Sequence, residues 1–139
     1  MIYICLFIYY YNNLYPISIR ITTSFNSIQC LFNDNRTRAF IVLPIVANYD
    51  QFFNLTNKFN NGPIKNHYQS PYYDNPIFHT SIAWMLTSYH GFNTDELINH
   101  TNTATELFSS KLRSLGAFNL ENVNIKISKD VFTYKLNGS

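Results

Sequence analysis

Apolar positions along the chain alternate between a period of two and a period near 3.6, and each change marks an element. Ile28, Cys30 and Phe32 stand two apart, Asn33-Asp34-Asn35 supplies turn chemistry, and residues 37–43 return as a second strand stopped by Pro44. The period then lengthens, with Tyr49, Phe52, Phe53, Thr56 and Phe59 forming one helical stripe. Asn48, with Gln51 three positions on, is a capping pair for that helix, and Asn60-Asn61-Gly62-Pro63 closes it. Residues 67–76 carry three tyrosines and two prolines and read as an ordered loop, from which residues 77–84 enter as the strongest strand of the chain.

A turn follows at residues 88–91. Thr94 or Asp95 then opens a short helix, and Ala104, Leu107, Phe108, Leu112 and Leu115 mark a longer one, with Lys111 and Arg113 in its last turns and Gly116 just beyond. Val123, Ile125 and Ile127 alternate in one terminal strand, and Phe132, Tyr134 and Leu136 in another. Residues 1–11 and 14–25 are β-prone but irregular, broken by Asn12-Asn13 and Pro16. The predicted order, strand, strand, helix, strand, helix, strand, strand, describes a small α/β or α+β fold with helices packed on a mainly antiparallel sheet.

Within the strand at 77–84, His79 and Ser81 are one residue apart, so the strand period turns an ionisable ring and a hydroxyl to the same face. Phe78, Thr80, Ile82 and Trp84 are expected on the other face. An imidazole exchanges protons near neutral pH and a hydroxyl one step along holds a phosphoryl oxygen, a pairing suited to phosphodiester chemistry. Taken alone, His-x-Ser is a weak motif, and a satisfied structural histidine is the first expectation. His67 lies near the tyrosine loop, His90 beside Gly91 in a turn, and His100 near a helix boundary, each read as structural or exposed.

Composition narrows the classes. A chain of 139 residues suits one domain, and a hydrophobic fraction of 46% with 17% aromatics excludes wholesale disorder. The apolar stretch 1–11 is shorter than a spanning helix and lacks a basic leader, so a strand or an extension outside the fold is expected, not an anchor. Cys5 and Cys30 have no companion cluster and suggest neither a zinc site nor a disulfide framework, so a reducing compartment is expected. The carboxylates Asp74, Asp95, Glu96 and Glu106 form no tight ligand run, so no metal and no cofactor is expected. A net charge of +2 leaves nucleic-acid binding to the charge distribution. Arg36, Arg38, Lys126, Lys129 and Lys135 sit at or beside strand ends, either lining a phosphate-contacting face or forming an ordinary solvated edge. Tyr68, Tyr72 and Tyr73 are candidates for stacking on the bases of single-stranded RNA.

Two segments together are more specific than any of these features. Tyr72-Tyr73-Asp74-Asn75-Pro76-Ile77-Phe78-His79-Thr80-Ser81-Ile82-Ala83-Trp84 resembles the second catalytic motif of the U6 small nuclear RNA phosphodiesterase family, of the 2H phosphoesterases. Phe32-Asn33-Asp34-Asn35-Arg36-Thr37-Arg38-Ala39-Phe40-Ile41-Val42-Leu43 resembles that family's hairpin ending in Thr-Arg-x-Phe. The likeness runs from about Phe25 through the terminal strands, with Ser128 standing where such proteins often have glycine.

The resemblance implies an α+β, 2H phosphoesterase-like, bilobal fold in which two His-x-Ser/Thr motifs face one another across a groove. One histidine is then the general base and the other the general acid, and the paired hydroxyls bind the phosphate. Here His79 and Ser81 match the second motif as catalytic residues, while Tyr73, with Tyr72, Ser81 and Arg38, would contact RNA. The implied reaction is metal-independent trimming of 3′ uridines from U6 RNA or another 3′-oligouridylated strand, leaving a 2′,3′-cyclic phosphate, in the nucleus. Residues 1–24 depart from the pattern: Ile21-Thr22-Thr23-Ser24 contains no histidine. The expected organisation is therefore a divergent extension over 1–24 and an incomplete 2H domain over 25–139, truncated before its first motif. The alternatives are an inactive RNA-binding relative and a pair of copies that each supply His79; a monomer with no membrane partner is the expected state. A scaffold role, with His79 a packed polar residue, is the third reading.

Overall fold

The alternation over residues 28–43 becomes a hairpin, and a third strand lies beside it. In the computed structural model, which describes residues 21–59, 61, 76–88, 90–127 and 130–135, β2 (Gln29–Phe32), β3 (Arg38–Pro44) and β4 (His79–Leu86) form an antiparallel sheet in the order β2-β3-β4. Here β1 is Ile21–Thr23, which pairs antiparallel with β5 (Phe118–Leu120) through Ile21↔Leu120 and Thr23↔Phe118. β6 (Asn122–Ile127) and β7 (Asp130–Lys135) make the terminal hairpin, and the helices are α1 (Tyr49–Phe59) and α2 (Thr94–Ser114). The α+β class, with antiparallel sheets and two helices, is as the sequence predicts.

The chain divides into two compact units. One holds Met1–Thr23, Asn48–Phe78 and Phe118–Ser139, the other Ser24–Ala47 and His79–Ala117. In the first, Ile21, Phe52, Leu55 and Val123 are buried. Residues 21–23 lie inside the stretch read as an extension, yet Ile21 and Thr23 are closed off from solvent and β1 gives β5 its strand partner. In the second unit the buried apolar residues are Ala39, Val42 and Ile45.

α1 begins where its stripe predicts and is described to Phe59, residues 60, 62 and 63 of its expected closing run lying outside the described residues, but its start is not the expected capping box. Asn48 adopts φ 58°, a left-handed conformation that Asn tolerates, and its backbone carbonyl accepts from the N–H of Gln51 at 2.9 Å. Its side-chain nitrogen donates instead to the carbonyl and hydroxyl of Thr22, tying the helix start to β1.

α2 is one helix of 21 residues, not the two that were predicted. Asn93 caps it, its side-chain oxygen accepting from the N–H groups of Asp95 at 3.0 Å and Glu96 at 3.2 Å. The polar run Asn99-His100-Thr101-Asn102-Thr103 is a weak helix former but contains no glycine or proline to break the ladder. Its buried residue is Thr101, while Leu107, Phe108 and Leu115 of the predicted apolar stripe are exposed. The helix meets β2 through a polar clasp: the Thr105 hydroxyl accepts from the Ile28 N–H at 2.9 Å and donates to the Ile28 carbonyl at 2.8 Å.

Candidate active site

Among the described strands β4 lies at the edge of its sheet, and the residues just before it pack on α1. The Tyr49 hydroxyl donates to the Pro76 carbonyl at 2.9 Å, and the Phe78 ring sits 5.3 Å from the rings of both Tyr49 and Phe52. The residue immediately before His79 is thus held by α1 through aromatic packing.

Cross-strand pairs share a sheet face, so the register of β4 on β3 shows which side chains belong together. His79 pairs with Pro44, Ser81 with Val42 and Thr80 with Leu43. His79 and Ser81 therefore lie on one face, as predicted, the first half-buried and the second exposed. Thr80 lies on the opposite face with its hydroxyl buried and without a hydrogen-bond partner.

Beyond Ser81 the alternation changes sign. The register passes from Val42↔Ser81 to Ile41↔Ala83, leaving Ile82 unpaired as a β-bulge, after which Trp84 faces Phe40 and Leu86 faces Arg38. Phe40, Val42 and Pro44 are two apart on β3, so Trp84 shares the face of Ser81 and His79, not that of Thr80. The expectation that Trp84 points away is corrected by one inserted residue.

Arg38 joins this face from β3, four residues from the row of Ser81, about 13 Å along the strand. Its guanidinium lies 5.5 Å from the centre of the Trp84 ring. The turn before it is built from its own polar side chains. Asn33 Oδ1 accepts from the Arg38 N–H at 2.9 Å, Asn33 Nδ2 donates to the Thr37 hydroxyl at 3.0 Å, and that hydroxyl donates to Asn35 Oδ1 at 2.7 Å. Thr87 closes the other side, its N–H donating to the Thr37 carbonyl at 3.0 Å. Arg36 takes φ 53° at the turn, with its guanidinium 5.7 Å from the Phe32 ring.

The structure thus brings His79, Ser81 and Arg38 onto one face and adds Trp84, which sequence reasoning assigned elsewhere. Tyr72 and Tyr73, with Tyr68, His67 and Lys129, lie outside the described residues, and the side chains of Lys126 and Lys135 are likewise not described. His90 and His100 are exposed, in a turn and on α2. Among the described residues no group of three or more His, Cys, Asp or Glu side chains stands ready for a metal ion, and no helix is long and apolar enough to cross a membrane. Cys30 pairs with Ile41, on the face opposite Ser81, and burial pushes its thiol up from 9.0.

A known structure shares this fold. Usb1 of Kluyveromyces marxianus, in its structure with uridine monophosphate, matches 84% of the chain at a TM-score of 0.52 and 13% identity, so the chain shares that fold. A second structure of that Usb1 matches at a TM-score of 0.49 and 13% identity, again over 84% of the chain. The chain spans 59% of the length of either. The chain belongs to the HVSL family, described as an uncharacterised conserved protein, whose model matches residues 12–135. No curated protein matches the sequence.

Proposed function

We propose that the chain is an RNA phosphodiesterase relative that acts on the 3′ ends of uridine-rich RNA, with His79 and Ser81 as its reacting face. The observation that carries this reading is their placement: a half-buried imidazole and an exposed hydroxyl, on the same face of one edge strand, in a chain with the fold of Usb1. That Usb1, a U6 RNA phosphodiesterase, has a structure with uridine monophosphate supports a uridine-containing partner.

In this reading Ser81 donates to a non-bridging phosphate oxygen and His79 moves a proton to or from the oxygen that attacks or leaves. The 2′-hydroxyl of the penultimate ribose attacks the phosphate, the 5′-oxygen of the terminal nucleoside departs with a proton, and a 2′,3′-cyclic phosphate remains on the shortened RNA. Tyr73 would stack on the terminal base, with Tyr72 beside it. No metal takes part. U6 RNA is the substrate, the nucleus is the compartment and a monomer is the working form.

A second reading rests on a specific observation. Among the described residues His79 is the only histidine on a strand, and β1, Ile21-Thr22-Thr23, has none. One imidazole cannot stand on both sides of an in-line displacement at once. A chain with the phosphate-binding face and no second proton donor would bind RNA without cutting it.

Incubation with 3′-oligouridylated RNA in chelator separates the two. Under the enzyme reading the RNA shortens and acquires a cyclic end, and His79→Ala slows shortening by about 100-fold or more, with Ser81→Ala also slower. RNA that is bound but not shortened favours the binding relative. Shortening that survives both substitutions sinks the assignment of this face.

A further inference from the structure

The bulge at Ile82 leaves a large aromatic surface in solvent beside the site. Trp84 is 62% exposed and occupies the row next to Ser81 on the same face. Its indole is not bare on every side, since the Arg38 guanidinium lies 5.5 Å from the ring centre. Arg38 is itself fixed at the backbone, where its N–H donates to Asn33 Oδ1 at 2.9 Å and its carbonyl accepts from the Asn33 N–H at 3.2 Å. A tryptophan on an edge strand gains nothing from water. Paired with a cation and set one row from a phosphate-binding hydroxyl, it has the two components of a single-strand platform: a π-face for a base and a positive charge for its phosphate.

We propose that Trp84 and Arg38 form a stacking site for a nucleotide of single-stranded RNA adjacent to the one at the scissile phosphate. The inference deepens the function proposed above and rests on it. Stacking on an indole accepts any base, so this site would set affinity for the length of the strand, while uridine preference is decided elsewhere. A mononucleotide has no neighbouring base to offer this site. The bulge is what makes the site, because an unbulged β4 would turn Trp84 to the face of Thr80.

Trp84 is the sole tryptophan of the chain, so its emission reports on this site alone. The expected result is saturable quenching by oligouridylate and none by uridine monophosphate. Trp84→Ala is expected to weaken oligouridylate binding about tenfold or more while leaving uridine monophosphate binding unchanged, Trp84→Phe to retain most of the affinity, and Arg38→Met to weaken it and flatten its salt dependence. Circular dichroism checks the fold of each variant, and the wild-type emission does not depend on any of them. Oligouridylate that binds without altering emission, or binds the Trp84→Ala chain equally well, overturns the inference. So does a Trp84→Ala chain that only changes from dimer to monomer with its RNA affinity intact. His79-dependent shortening with unchanged kinetics in Trp84→Ala removes this inference and leaves the proposed function standing, whereas a chain that binds no RNA removes both.

Discussion

Thr80 stands between the two residues of the site and shares neither their face nor their surroundings. Its hydroxyl is buried with no hydrogen-bond partner, and a buried hydroxyl left unpaired costs roughly 1–3 kcal/mol. Valine has nearly the same shape without that group. Thr80→Val is expected to raise stability by about 1 kcal/mol in urea unfolding and to leave RNA shortening unchanged, because the side chain points away from His79 and Ser81. The shared face of His79 and Ser81 was legible in the sequence because strand alternation over three residues is a local property. The face of Trp84 was not, because a bulge is a property of the pairing between β4 and β3, which are about forty positions apart, and no residue type at Ile82 announces it. Nor does any local signal point to Arg38 folding over an indole from the neighbouring strand.

Elements follow the same division between local and distant causes. α1 and the β2–β3 hairpin were readable from period and turn chemistry, since the residues that define them are neighbours in the chain. The run from Asn99 to Thr103 carries no apolar stripe to join the two predicted helices, yet the inner side of α2 is served by threonines, with Thr101 buried and Thr105 bonded to the backbone of Ile28, just ahead of β2. Apolar patterning misses a helix that docks through hydroxyls. Thr105→Val keeps the volume but strips both backbone groups of Ile28 of their partner. It is expected to destabilise the chain by about 2 kcal/mol, read as a lower urea midpoint, with hydrogen exchange at Ile28 accelerated before that of β3. Thr105→Ser, which keeps the hydroxyl, should restore most of the loss. If Thr105→Val matches the parent, α2 is held by something other than this clasp.

Across the whole molecule the chain passes between its two units at four points, so neither unit is a continuous stretch of sequence. The departure of residues 1–24 from the family pattern was visible, but not that Ile21–Thr23 supply the strand partner of Phe118–Leu120. A chain beginning at residue 25 lacks β1, leaves β5 with an open edge and loses the buried Ile21, whose burial alone is worth about 2 kcal/mol. Amides of Phe118–Leu120 are expected to exchange at loop-like rates in that chain, while those of β3, hydrogen-bonded to β2 and β4, keep their protection. Unchanged exchange at β5 would show that β1 contributes nothing to it. The pairing of Ile21 with Leu120 also has a consequence during synthesis. At ordinary elongation rates about 5–20 s separate the emergence of the two strands, so β1 leaves the ribosome well before the strand it pairs with. Until β5 emerges the edge of β1 stays open to pairing with other chains, and a slower-translating message lengthens that interval.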